Sequence, residues 1–128
     1  MKIIENADSG NSPKNNFVQN LEIAISKSDF DFIEDSTSED LEWEVCGHGT
    51  YKGSHAVSSA LKALNLISAK ELTIEYVLSH GKTGASKSLR ASGEGNSQYV
   101  SHFFRFSSAK GVQVSRITSM VANSANDT

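Results

Sequence analysis

Four histidines, His48, His55, His80 and His102, are the side chains best suited to moving a proton near neutral pH. Two of them fall within apolar strand patterns. His80 continues the alternation of Leu72, Ile74, Tyr76 and Leu78, and His102 shares a strand face with Val100, Phe104 and Phe106. A titratable ring on such a face is either a core group with one satisfied hydrogen bond or part of a site, and His102 is the candidate for a catalytic acid or base. Arg116 shares parity with Val114, Thr118 and Met120. If that face is inward, the guanidinium needs an acid or an anionic ligand; if outward, it is a solvated or dimer-contact residue. Trp43 and Tyr76 could form apolar walls. The candidate ligand-binding set is therefore Trp43, Tyr76, His80, Phe104, Arg116 and Met120, around His102.

Other chemistries find less material. No histidine pair has the i,i+4 spacing with a carboxylate that a helical metal site uses, so neither a metal site nor a cofactor is expected. Cys46 is the single cysteine, which excludes an internal disulfide and a cysteine-rich zinc site, and neighbouring Glu44 disfavours a thiolate. Gly81–Gly84 and Gly93–Gly95 read as turns, because no P-loop pattern follows them. The net charge of −3 argues against general nucleic-acid binding. No apolar run approaches the ~20 residues of a membrane helix. The start, MKIIENADSG, lacks the apolar core of a signal peptide, so a cytoplasmic protein is expected. Eight of the fifteen acids lie in 29–44 without a Lys or Arg, whereas 82–116 holds six bases against Glu94 alone. This asymmetry reads as two differently charged solvated surfaces.

The elements that must position these residues fit one domain, 1–128, with a core over about 12–122. Ser12-Pro13 reads as an N-cap and first helical position, and Phe17, Leu21, Ala24 and Ile25 share a helical face over roughly 13–28. Ser28 or Asp29 can cap a short helix carrying Phe30, Phe32 and Ile33. Residues 34–40 read as a polar connector. Leu41, Trp43 and Val45 then alternate with Glu42 and Glu44 as a half-buried strand. GHGTYKG reads as a loop, and Ser54 as the cap of a third helix ending near Ser68. Strands follow over 72–79, 85–94, 98–107 and 112–121, with turns at 80–84 and 108–111 and a frayed tail from Asn123. Helices followed by a run of strands argue an α+β fold with helices on one face of a curved sheet.

This order resembles the NTF2-like superfamily, also described as SnoaL-like or ketosteroid-isomerase-like. The resemblance is carried by the helix with Phe17, Leu21 and Ile25, by KSDFDFI, LEWEV and GHGTYKGSHAV, and by the closing FRFSSAKGVQVSRITSMV. It looks closest to the uncharacterised bacterial branch of nuclear transport factor 2 family proteins, which shares a GNSPK-like stretch. The resemblance implies a cystatin-like cone, in which N-terminal helices sit in a strongly bent, mostly antiparallel sheet. It implies a pocket for a small, largely apolar molecule, with isomerase- or hydrolase-type acid/base activity in some members. The alternative it offers is a non-catalytic interaction module acting through the sheet face.

The sequence departs from the steroid-isomerase pattern. Asp40 and Glu42 alternate away from Trp43, and His102 stands where related chains often carry an acid. For the epoxide-hydrolase pattern, Arg90, Arg105 and Arg116 lack evident inward acids. A homodimer is expected from the family and from large side chains on both faces of the back strands, among them Tyr99, Phe103 and Arg105.

Overall fold

The computed structural model describes residues 1–6, 12–108 and 113–124. Ser12 caps helix α1 (Pro13–Lys27), its hydroxyl accepting the backbone N–H of Asn15 at 3.2 Å. The helix stops at Ser28, in the left-handed region, and Asp29 caps α2 (Phe30–Ser36) through the N–H of Phe32. The segment expected as a connector is strand from its midpoint: β2 runs Thr37–Val45. The glycine-rich stretch supplies an edge strand, β3 (Gly49–Lys52), antiparallel to β2. A 3-10 turn over Gly53–His55 then leads into α3 (Ala56–Leu64). Ser54 lies in that turn and does not cap the helix, which ends at left-handed Asn65 rather than near Ser68.

The remaining strands are β4 (Glu71–His80), β5 (Thr83–Ala91), β6 (Ser97–Phe106) and β7 (Val114–Ser124), an antiparallel meander. The N-terminal β1 (Lys2–Ile4), which the sequence did not announce, pairs parallel with β4. Together they form one curved, mixed sheet in the order β1-β4-β5-β6-β7-β2-β3. Val112, the 109–111 part of the last hairpin, GNSPK up to Asn11 and the tail beyond Ser124 lie outside the described residues.

All three helices cover one face, α1 lying over β4 and β5 and α3 over β2 and β7. The core between helices and sheet contains Leu21, Ile25, Ile33, Trp43, Phe106 and Ile117, all at most 1% exposed. The architecture is the α+β arrangement expected, with two parallel pairings (β1 with β4, β2 with β7) that the pattern of alternation alone does not reveal.

Candidate functional site in the helix–sheet interior

The inner face of β5 carries Gly84, Ser86, Ser88 and Arg90, with no large apolar side chain. Helix α1 lies along it. Its residues Val18, Glu22 and Ser26, spaced i,i+4 and therefore stacked on one side of the helix, meet Gly84, Ser86 and Arg90 in turn. The approach is close. A β-carbon on Gly84 would stand 2.8 Å from Val18 Cγ2 and 3.1 Å from Phe106 Cζ, so glycine there lets the helix down onto the strand.

This contact buries Glu22, at 1% exposure, beside His102, at 0%. Glu22 Oε1 accepts the hydroxyl of Ser86 at 3.0 Å. Its Oε2 lies 3.2 Å from His102 Nε2, within ion-pair distance but out of line for a good hydrogen bond. On the other side of the ring, Nδ1 is 2.6 Å from Ser119 Oγ, and Trp43 Nε1 donates to the same oxygen at 2.9 Å. An indole N–H only donates, so Ser119 accepts from Trp43 and meets Nδ1 of His102 with either its remaining lone pair or its hydroxyl hydrogen. In the tautomer whose Nδ1 accepts from Ser119, the imidazole proton is on Nε2, on the side of the Glu22 carboxylate.

The order serine, histidine, carboxylate resembles a nucleophilic triad, but the geometry suits proton transfer better. Ser119 is fully buried and held by both Trp43 and His102, and a nucleophile needs room for a reacting carbon near its oxygen. What the arrangement can do is hold a carboxylate and an imidazole in contact, away from bulk solvent.

Arg90 closes the far end, at 5% exposure. Its Nη1 donates to the carbonyl oxygen of Ser26 at 2.9 Å and to that residue's hydroxyl, and its Nη2 to the carbonyl of Ile67 at 2.7 Å. Burial pulls its pKa below the usual guanidinium value, opposed by the negative charge of Glu22. Arg90 is thus a buried cation that feels the charge of the Glu22 carboxylate without bonding to it.

Of the candidate residues read from the sequence, Trp43, Phe104 and His102 are inside. Tyr76, His80, Arg116 and Met120 are on the outer face, away from the helices, and cannot line an interior pocket. Two strand irregularities explain this. The β4–β5 register passes from Ile74–Ser88 directly to Tyr76–Lys87, so Glu75 is an extra residue that reverses the alternation and turns Tyr76, Leu78 and His80 outward. The β6–β7 register passes from Arg105–Arg116 to Phe106–Val114, so Ser115 is extra and Arg116 leaves the face of Val114. Arg116 instead pairs with Glu42 at 2.7 Å and Glu44 at 3.2 Å. Glu22, Ser119, Ser86 and the inward role of Arg90 were not anticipated. A signal for Glu22 existed: it falls at i+4 from Val18, between Leu21 and Ile25 on the buried stripe.

Outside, the sheet face bears Tyr76, Leu78, Tyr99, Phe103 and Met120, each 38–60% exposed. A groove of about 650 Å³ opens beside Tyr99 and Met120, lined also by Cys46, Lys87 and Val121. Lys87 is central: it pairs with Glu75 at 2.6 Å and sits 4.7 Å from the ring of Tyr99 and 5.8 Å from that of Tyr76. The hydrogen bond to Glu75 raises its pKa above the usual lysine value, against a smaller lowering by burial. A second hollow, about 400 Å³, lies between Glu34, Glu39, Leu41, Ser54 and Val57. Neither is lined by Glu22 or His102. Among the described residues no group of three His, Cys, Asp or Glu is placed to hold a metal ion, and no helix is long and apolar enough to cross a membrane.

No family model matches the sequence, and no curated protein matches it. Solved structures do. An NTF-2 like protein of unknown function from Burkholderia xenovorans LB400 is 15% identical over 90% of this chain and 88% of its own, with a TM-score of 0.65. A steroid delta-isomerase from Pseudomonas aeruginosa is 15% identical over 87% and 81%, at 0.63. An LEH-like epoxide hydrolase of M. tuberculosis is 15% identical over 85% and 82%, at 0.60.

Proposed function

From a chain that has the NTF2-like fold, we propose a protein that works through the outer face of its sheet, as an association module whose first partner is a second copy of itself. The observation that carries this reading is the exposed apolar face. Five large side chains, Tyr76, Leu78, Tyr99, Phe103 and Met120, stand in solvent on this face, and two of them, Tyr99 and Met120, line the 650 Å³ groove. Patches of this kind on a small soluble chain mark contact surfaces. The interior supports the same choice, because Trp43, His102, Phe104 and Phe106 fill it at 2% exposure or less. The exposed, unpaired Cys46 fits a reducing compartment, the cytoplasm.

Light scattering at tens of micromolar is expected to give twice the 13.8 kDa chain mass. Phe103→Glu, at the middle of the face, is expected to weaken association on the order of 30-fold or more, with unchanged circular dichroism. A wild-type monomer at that concentration, or a dimer indifferent to Phe103→Glu, would count against the reading.

A second reading rests on Glu22 and His102. A carboxylate and an imidazole at 1% and 0% exposure are costly in a core that apolar residues could fill. They suit acid/base work on a small, largely apolar molecule, of isomerase or hydrolase type, which α1 would have to move to admit. The fold neighbours include a steroid delta-isomerase and an epoxide hydrolase. Native mass spectrometry of freshly purified protein is expected to show a bound small molecule that Glu22→Gln loses. A bare chain mass, unchanged on adding apolar alcohols or ketones, would sink this reading.

A further inference from the structure

Three polar atoms in the described interior have no hydrogen-bond partner in the protein: Ser88 Oγ, Arg90 Nε and His102 Nε2. His102 Nε2 at least touches Glu22 Oε2, at 3.2 Å. The other two have nothing comparable, and they are neighbours. Ser88 is fully buried on β5, one inward position from Ser86 and one from Arg90. Ser86 is bonded to Glu22, and Arg90 to Ser26 one helical turn further along α1. Ser88 therefore faces the stretch of helix between Glu22 and Ser26, in a strip with the polar side chains of β5 on one wall and Glu22 and Ser26 at the two ends of the other.

The chemistry of the strip defines what would complete it. Arg90 Nε offers one N–H. Ser88 offers one O–H and two acceptor positions. Glu22 Oε2 has lone pairs that the misaligned His102 contact leaves available. Donors and acceptors are mixed, and the two formal charges, Glu22 and Arg90, already oppose each other. A further ion would unbalance them. The complement is small, neutral, and both donor and acceptor.

We propose that the seam between α1 and β5 is a binding site for an internal water, held by Ser88 Oγ and Arg90 Nε and donating toward Glu22. One water joins polar atoms ~5–6 Å apart, comparable with the ~6.6 Å between side chains two positions apart on a strand. Buried waters typically make about three such bonds to groups otherwise unsatisfied. The water makes Arg90 a hydrogen-bonded partner of the Glu22–His102 pair, not only a nearby charge. Arg90 then acts as a positioning residue for Glu22.

The test uses the wild-type protein. A high-resolution crystal structure is expected to show one ordered solvent site within ~3 Å of both Ser88 Oγ and Arg90 Nε. In solution, the Arg90 Nε–H proton is expected to show a cross-peak to water with the sign of a long-lived complex. Ser88→Val, which fills the strip with a methyl-bearing side chain of similar size, should abolish that cross-peak while Arg90 keeps its bonds to Ser26 and Ile67. The proposal is overturned if Ser88 Oγ bonds to a backbone carbonyl and Arg90 Nε bonds directly to Glu22 with no solvent between. A cross-peak that survives Ser88→Val would overturn it equally.

Discussion

Glu22→Leu is expected to cost about 3–5 kcal/mol of stability, and so is His102→Phe, yet the two together are expected to cost far less than their sum. Glu22→Leu takes the carboxylate from His102, Ser86 and the buried Arg90, and His102→Phe leaves the buried Glu22 carboxylate with Ser86 as its one hydrogen-bond donor and Ser119 without the imidazole. Removing one member of a buried pair is the expensive event. Removing both takes away the desolvation burden of the pair along with the contact but leaves Ser86 and the buried Arg90 without the Glu22 carboxylate, so the double variant is expected to lose about 2 kcal/mol or more, still well short of the sum. Urea unfolding of the four proteins measures the cycle. Additive losses would mean that Glu22 and His102 stabilise the fold independently and that the 3.2 Å contact is incidental.

Trp43 carries the second large effect. Trp43→Ala is expected to destabilise by about 3–5 kcal/mol or more, because it empties a fully buried site and strips Ser119 of its indole donor. Trp43→Phe separates the two losses. It keeps most of the apolar volume and deletes the N–H, and about 1–3 kcal/mol is expected. Because Trp43 is the only tryptophan, its emission should be blue-shifted in the folded protein and shift to the red on unfolding. A Trp43→Ala variant as stable as Trp43→Phe would show that the cavity collapses and the hydrogen bond dominates.

Helix α1 and its cap, the alternation of β2 and the four back strands were legible because each rests on local chemistry: a Ser-Pro start, a 3.6 period, a two-residue period. What failed is equally specific. Tyr76, His80, Arg116 and Met120 were placed by parity, and parity holds only while the ladder is unbroken. The inserted residues Glu75 and Ser115 reverse it, and nothing in the strand composition marks them. Met120 faces out with Arg116, downstream of Ser115. His102 and Phe104 precede the β6 irregularity and were placed correctly. Glu22 escaped notice because a carboxylate in an apolar stripe looks like a boundary residue until its partner is known, and that partner lies on β6.

The pairing of β2 with β7 has a consequence for how the chain reaches this state. The hydrogen bond between Trp43 and Ser119 joins residues 76 apart in sequence. The hairpins β4–β5 and β5–β6 need only short loops to close, so local search can assemble them early. β2 has no such neighbour on its inner side and must wait for β7, which is synthesised after β3, β4, β5 and β6. Until then the chain carries Leu41, Trp43 and Val45 uncovered on one side. A nascent or C-terminally shortened chain is therefore expected to present that strand to chaperones, and the completed chain to bury it in a late step.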